Sequence, residues 1–226
     1  MMKVLSVVLA VILTAVLAFW FIVLPWSHRR GATDEEVQRS LPGDELVPNP
    51  KVGYTQAITI NAPAAEVWPW LAQHGYKRAG FYSHEWVYKL IGSDDYYEGT
   101  RSADRIIPEL QDLKVGDAIK IGEQAPFEVV ALEPARVLAL LARSDLETGE
   151  TFELSGPAPA SYMNQSWVYY LDDIDGNSTR LIVRWRGDYS PGFANSLGFG
   201  ISVEAGAVLM QPKMLKGIKE RAESQQ

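Results

Sequence analysis

The chain has 226 residues, no cysteine and a formal net charge of −7, from 21 lysine and arginine residues against 28 aspartate and glutamate residues. The lack of cysteine excludes a disulfide scaffold, a thiolate zinc site and a cysteine nucleophile. The acidic balance argues against nucleic acid as a partner, because contact with phosphates requires a basic surface.

Residues 1–30 are predicted to form a transmembrane anchor, which would make this a single-pass membrane protein. Residues 4–24 carry no charge, and a helix of that length spans roughly 31 Å, about the hydrocarbon core of a bilayer. Trp20 and Trp26 lie towards the end of this run, where aromatic side chains favour the membrane interface. The contact with the membrane is therefore predicted for residues 4–24.

The processing and the orientation of this anchor stay open. A cleaved signal peptide is the alternative, with a small-residue site at 16–18, but the apolar run continues beyond that site. Lys3 precedes the run, and Arg29 and Arg30 follow it. The positive-inside rule therefore leans slightly towards a cytoplasmic location for the rest of the chain.

The segment 31–53 is predicted to be a linker that contains one short helix. Thr33 and Glu36 have the spacing of a capping box, in which the threonine begins a helix and the glutamate lies three residues on. The helix must end before the turn-forming residues 42–44, which read Pro-Gly-Asp.

Residues 54–226 are predicted to be a folded α+β domain. Helices are predicted at 61–75, near 83–90 and over 196–221, the last of them bent at Pro212. The predicted strands, which alternate in polarity and end at turn residues, are 54–60, 118–121, 127–132, 137–142, 165–171 and 180–186. A run of strands followed by a helix indicates an antiparallel sheet rather than a parallel one.

Three segments resemble the START-like (SRPBCC) superfamily, the helix-grip proteins that include polyketide cyclase/dehydrase-like and lipid-transfer members. They are the strand that runs into Ala-Pro and Val-Trp at 54–68, the stretch 69–83, and the final hairpin with the long C-terminal helix. With residues 31–44 the chain resembles a membrane-anchored branch of that superfamily. The resemblance implies a curled antiparallel sheet around the C-terminal helix, enclosing an apolar cavity. The superfamily has no universal catalytic motif, so the resemblance transfers no catalytic residue to this chain.

Strand alternation predicts which side chains would line such a cavity. Their aromatic content suits a sterol, acyl or polyketide-like ligand, although an ordinary filled core explains the same pattern equally well. The candidate ligand-binding residues are Phe127, Val129, Trp167, Tyr169, Val183, Trp185, Ile201 and Val208.

Glu204 is the only charged residue between Asp188 and Lys213. A carboxylate among apolar neighbours must be paired or protonated, which makes Glu204 a candidate catalytic acid. The alternative is that Glu204 points to an edge of the helix or pairs with Arg184 or Arg186. A second membrane span at 191–210 is disfavoured by this charge and by several glycines.

His84 and Tyr82 are the other catalytic candidates, because a histidine beside Glu85 can exchange protons near neutral pH. The alternative is that this region is a solvated surface loop without a catalytic role. No cofactor is predicted, since the sequence contains no nucleophile elbow, phosphate-binding loop or Rossmann fingerprint. No metal site is predicted either, because three histidines and no cysteine offer too few ligands.

These observations predict a membrane-anchored module that binds or transfers a hydrophobic small molecule, more in keeping with a carrier than with an enzyme. One alternative is a polyketide cyclase or dehydratase-like enzyme that uses Glu204, His84 and Tyr82 in the same cavity. A further alternative is a non-catalytic interaction protein at the membrane with a filled core. The sequence does not fix the oligomeric state or the identity of the ligand.

Overall fold

An antiparallel sheet forms the centre of the fold in the computed structural model, which describes residues 2–123, 126–152 and 156–224. The strands of this sheet are β1 Val52–Ile60, β2 Ala118–Lys120, β3 Pro126–Glu133, β4 Val137–Asp145, β5 Tyr162–Asp173 and β6 Thr179–Tyr189. Their order in the sheet is β1-β6-β5-β4-β3-β2. The predicted α+β architecture, a curled sheet around a long C-terminal helix with an apolar helix before it, is confirmed.

Helices cover the concave face of this sheet and precede its first strand. They are α1 Met2–Ala18, α2 Leu24–His28, α3 Asp34–Gln38, α4 Ala64–Ala72, α5 Glu85–Leu90, α6 Phe193–Ala205 and α7 Gln211–Glu223. One π-helical turn, Phe19–Val23, joins α1 to α2, and another, Gly206–Met210, joins α6 to α7. Pro212 lies in the first turn of α7, directly after the second π-turn, where the sequence predicts a bend.

The apolar N-terminal helix extends from the sheet domain with most of its surface uncovered. Residues Ser6–His28 have a mean hydropathy of 3.0 and are long and apolar enough to cross a membrane. Among the described side chains of Ser6–His28, Leu24 and Ser27 alone are buried, so the helix packs on the rest of the chain at its C-terminal end.

The curl of the sheet directs alternate side chains of each strand towards the C-terminal helix. Tyr54, Trp185 and Trp167 are direct cross-strand neighbours on this concave face of β1, β6 and β5. A register shift between Val129 and Ala131 interrupts the pairing of β3 with β4. Such a bulge increases the local twist and helps the sheet wrap around the helix.

The segment before β1 lies against the convex face of the sheet. Thr33 and Glu36 form the predicted capping box at the start of α3. The buried guanidinium of Arg184, on β6, fixes this segment by donating hydrogen bonds to the main chain of Glu36, Val37 and Arg39 and to the side chains of Asp44 and Thr55. Leu41 closes a small apolar cluster with Ala57 and Ile182.

Candidate functional site

A cavity of about 380 Å³ lies between the concave face of the sheet, α5 and the C-terminal helices. Its lining residues are mostly apolar and none of them carries a charge: Tyr54, Val87, Tyr88, Ile91, Ile121, Gln165, Trp167, Trp185, Ser202, Val203, Ala205, Gly206, Met210, Gln211 and Met214. Small-molecule sites in proteins have volumes of about 300–1,000 Å³ and predominantly apolar walls.

Three aromatic side chains form the floor of this cavity. The rings of Tyr54 and Trp185 stack with their centroids 5.9 Å apart and their planes 13° from parallel. Trp167 lies opposite Trp185 on the neighbouring strand and meets Phe127 edge-on at 5.9 Å. Because each ring is fixed by its strand, the floor is a rigid, pre-formed aromatic surface.

One fully buried amide lines the cavity. Gln211 is 2% exposed, and its Oε1 accepts a hydrogen bond from Trp167 Nε1 at 3.2 Å and a long one from Tyr54 at 3.5 Å. Within the described part of the chain, its Nε2 has only the sulfur of Met214 as a partner, at 3.7 Å. A thioether is a weak acceptor, so this amide retains donor capacity towards the cavity.

The roof of the cavity comes from α6, the π-turn and α7. Val203, Met210 and Met214 recur at helical spacing and face the sheet, and Gly206 leaves the space between them open. A Cβ atom at Gly206 would meet only Tyr54, at 3.9 Å. The volume of the cavity therefore depends in part on this glycine.

A buried histidine lies behind the aromatic floor. His74 Nδ1 donates to the carbonyl of Leu71 at 2.5 Å, and its Nε2 accepts from the Tyr169 hydroxyl at 3.3 Å. Burial lowers the pKa of His74 to about 4, so the ring is neutral at physiological pH. The rings of His74 and Trp167 are perpendicular, with their centroids 5.8 Å apart, and this contact helps to hold the indole in place.

The candidate ligand-binding residues are divided between the cavity and the core around it. Trp167 and Trp185 line the cavity. Phe127, Val129, Tyr169 and Val183 are buried in the core cluster that surrounds it.

The two helical candidates lie elsewhere. Ile201 is 65% exposed and Val208 is half-buried, and neither lines the cavity. The helix is apolar around nearly its whole circumference, so its sequence does not reveal that Val203 and Met210 occupy the inward face.

The three catalytic candidates are not brought together. Glu204 Oε2 lies 2.6 Å from His28 Nε2. The carboxylate is therefore paired, as one alternative predicted, but its partner is His28 and not Arg184 or Arg186. Arg184 and Arg186 are paired with Asp44 on the convex face of the sheet instead. The sequence did not predict a contact with the N-terminal helix, because 176 residues separate Glu204 from His28.

The other two candidates also lie outside the cavity lining. Tyr82 is buried, and its hydroxyl accepts a hydrogen bond from Gln73 Nε2 at 3.1 Å. His84 occupies the N-cap position of α5 without a side-chain capping hydrogen bond. The residue is half-buried, and the centroid of its ring lies 6.4 Å from that of Trp86. Among the described residues, no group of three or more histidines, aspartates or glutamates is placed to hold a metal ion.

A polar groove of about 450 Å³ lies on the other side of β1 and β6. Its cations already have carboxylate partners, since Arg39 pairs with Asp172 and Lys51 pairs with Asp188. Arg184 pairs with Asp44 in the same groove. The groove is therefore part of the contact between the segment 31–51 and the sheet, and the apolar cavity is the better candidate for a ligand site.

Comparisons with known proteins find similarity to solved structures alone. No protein-family model matches this chain, and no curated protein matches it. Similar solved structures include a conserved protein of Geobacillus kaustophilus, which is 15% identical, with 76% of this chain and 96% of that chain covered and a TM-score of 0.39. A Polyketide_cyc-like protein of Corynebacterium glutamicum is 16% identical, with 76% and 92% covered and a TM-score of 0.39.

A third similar structure, Ara h 8.0201, is 15% identical, with 76% of this chain and 98% of that chain covered and a TM-score of 0.36. At such identities and scores the likeness concerns the outline of the fold and carries no inference about ligand or chemistry.

Proposed function

We propose that this chain is a membrane-anchored module that binds one neutral, apolar small molecule between the concave sheet and its C-terminal helices. The observation that carries the proposal is the cavity of about 380 Å³, which has aromatic walls and no charged lining residue. Burial of apolar ligand surface against such walls supplies the affinity, at roughly 25 cal/mol per Å².

The polar groups of the cavity indicate what the ligand carries. A charged ligand is disfavoured, because no opposite charge among the lining residues would offset its desolvation. Gln211 Nε2 has only the weak acceptor Met214 Sδ beside it, so a carbonyl or hydroxyl oxygen of the ligand would give it a proper partner. We therefore propose an uncharged ligand with one oxygen-bearing end, such as a sterol, fatty alcohol or polyketide ketone.

The membrane segment fits this ligand class. Ser6–His28 is apolar and largely uncovered, and we propose that it anchors the domain to a bilayer. Molecules with large apolar surfaces partition into bilayers, so the anchor would hold the cavity beside its ligand reservoir. Acid–base catalysis by Glu204, His84 and Tyr82 receives no support from this geometry, because none of the three lines the cavity.

The test is a cavity-filling variant. Gly206→Leu projects a side chain from a helical backbone, with φ of −59°, into the cavity. Gly198→Leu is its matched control, because Gly198 is also helical and a Cβ there meets no atom within 4 Å. The two variants share the same gain in helix propensity, so their difference isolates the cavity.

The full chain is purified in mild detergent and examined by native mass spectrometry, with extraction of any adduct, and by titration with N-phenyl-1-naphthylamine. Wild type and Gly198→Leu are expected to bind one probe or adduct molecule, and Gly206→Leu to lose it. Partition of the probe into detergent is common to all three samples and cancels. Equal binding by all three, or no specific binding by wild type, would refute the proposal.

A further inference from the structure

A stripe of large apolar side chains lies exposed along α6. Phe193, Leu197 and Ile201 recur every four residues and are 84%, 51% and 65% exposed. Residues at this spacing share one face of a helix. The helix contains no charged residue before Glu204, which continues this face one turn after Ile201 and is hydrogen-bonded to His28.

A second exposed apolar patch lies on α5, which also contributes to the wall of the cavity. Trp86 is 60% exposed and Leu90 is 77% exposed. Their neighbours in the chain, Val87 and Ile91, line the cavity, as do Ser202, Val203 and Ala205 of α6. We call the five residues Trp86, Leu90, Phe193, Leu197 and Ile201 the apolar rim, since they lie on the two helices, α5 and α6, that border the cavity.

The end of the anchor is fixed directly beside the rim. Gln56 Nε2, fully buried on β1, donates to the carbonyl of Ser27 at 2.7 Å and to the carbonyl of Ala207 at 2.6 Å. One amide thereby ties the last turn of α2 to the π-turn that follows α6. The hydrogen-bonded pair of His28 and Glu204 adds a second connection, one residue after Ser27 and three residues before Ala207.

The distances follow from helix geometry. The stripe belongs to a helix of 13 residues, which is about 20 Å long at 1.5 Å per residue. Every residue of the stripe therefore lies within about that distance of the point where the anchor ends. If the anchor spans a bilayer, the stripe lies within about 20 Å of that bilayer's surface.

We propose that the apolar rim is immersed in the interface of the bilayer that holds the anchor, so that the cavity opens towards lipid and exchanges its ligand without passing through water. The partner is a lipid surface, and the inference rests on the anchoring in the proposed function. Continuity with the apolar helix, a tryptophan at the edge and the lack of charge on the stripe favour this partner over a second copy of the chain.

The native chain has no cysteine, so single cysteines can be labelled cleanly. A label at Leu197→Cys reports the environment of the rim, and a label at Leu13→Cys reports that of the anchor. A label at Asp175→Cys reports the environment of the hairpin turn between β5 and β6. Each carries a nitrobenzoxadiazole label, in vesicles of equal parts phosphatidylcholine and phosphatidylglycerol. Spin-labelled phosphatidylcholine quenches labels in the bilayer, and iodide quenches labels in water.

The expected result is that the label at 197 is quenched by the spin-labelled lipid, as at 13, while the label at 175 responds to iodide alone. A label at 197 that responds like the one at 175 would overturn the inference. Protection from both quenchers that increases with protein density would also overturn it, since a second copy would then cover the stripe. Phe193→Cys repeats the measurement if the first site disturbs the helix.

The anchor label separates the two proposals. If the label at 13 is not quenched by lipid, the anchoring in the proposed function fails, whatever the rim does. A rate measurement tests the access route itself. Leu197→Glu is expected to slow transfer of N-phenyl-1-naphthylamine from vesicles to the cavity several-fold, with unchanged affinity, because Leu197 does not line the cavity. An unchanged rate would contradict access through the rim.

Discussion

His28 Nε2 and Glu204 Oε2 lie 2.6 Å apart, although 176 residues separate the two in the sequence. Their side chains are 26% and 21% exposed, so water screens the pair only in part. The contact joins the last residue of the apolar N-terminal helix to the last turn of α6. This pair acts together with the amide of Gln56, the hydrogen bond from Ala57 N to the carbonyl of Arg30 and the buried side chain of Leu24 to orient the N-terminal helix relative to the cavity.

A double-mutant cycle with His28→Ala and Glu204→Ala measures the strength of this connection. We expect a coupling free energy of about 1 kcal/mol, which corresponds to about five-fold faster amide exchange when either partner is lost. The exchange is followed over Gly206–Met210 in the full chain in lipid nanodiscs. The control is the exposed pair Lys216 and Glu220, for which a coupling of at most about 0.5 kcal/mol is expected. Strictly additive effects at His28 and Glu204 would contradict the prediction.

Arg184 is expected to hold the segment 31–51 against the sheet. Arg184→Met removes every hydrogen bond of the buried guanidinium and leaves main-chain carbonyls without donors. A loss of about 3 kcal/mol in the free energy of unfolding is expected in urea titrations followed by circular dichroism. Amide exchange in α3 should rise in parallel.

The matched control for Arg184 is Arg136→Met. Arg136 pairs with Glu133, and both side chains are more than half exposed, so the expected loss is within about 1 kcal/mol. Equal losses at the two arginines would show that the convex-face contact does not stabilise the fold.

His74 makes the stability depend on pH. Its pKa in the folded protein is about 4, below the ordinary value of 6.5, so the unfolded chain binds more protons between these values. Its contribution is therefore complete above pH 6.5 and is lost as the pH falls towards 4. The free energy of unfolding should decrease by about 2 kcal/mol between pH 7 and pH 5 from this group.

His74→Asn is expected to flatten that pH dependence, because the asparagine amide can still donate to Leu71 but does not titrate. Wild type at the same pH values is the control. Urea unfolding at a series of pH values measures both. A pH slope that persists in His74→Asn would assign it to other groups.

Much of the fold could be predicted from the sequence because its signals are local. Period-two alternation and the turn at Asp175-Gly176-Asn177 identify the β5–β6 hairpin within a few residues. The same alternation places Trp167 and Trp185 on one face, and both line the cavity. The capping box at Thr33 is equally local, and it forms as expected.

The remaining features depend on contacts that leave no local pattern. Ile201 and Val203 are both apolar on a helix without a polar face, so only the packing decides that Val203 points inward. Glu204 is hydrogen-bonded to His28 in the apolar N-terminal helix, far away in the sequence. Gln211 follows a stretch without charge that begins after Glu204, and no sequence pattern indicates that its amide faces the cavity.

Gln211 is expected to select ligands that carry an oxygen. The test compares two neutral probes, prodan, which has a carbonyl group, and N-phenyl-1-naphthylamine, which has none. In wild type the Nε2 of Gln211 can donate to the carbonyl of prodan, because its partner in the free protein is only the sulfur of Met214. Gln211→Met keeps the side-chain length and removes that donor, so the affinity for prodan should fall about ten-fold, equivalent to about 1.4 kcal/mol.

The affinity for N-phenyl-1-naphthylamine should change much less in the same variant, because that probe has no carbonyl to lose a hydrogen bond. The emission of bound prodan should also move to shorter wavelength, as expected for a carbonyl without a hydrogen-bond donor. Gln165→Met is the comparison variant, because Gln165 also lines the cavity and its Nε2 also has a thioether partner, Met163 Sδ at 3.3 Å. A loss of prodan affinity in that variant and not in Gln211→Met would assign the contact to Gln165 instead. An equal loss of affinity for both probes in Gln211→Met would mean that the amide acts by holding Trp167 in place and does not bond to the ligand.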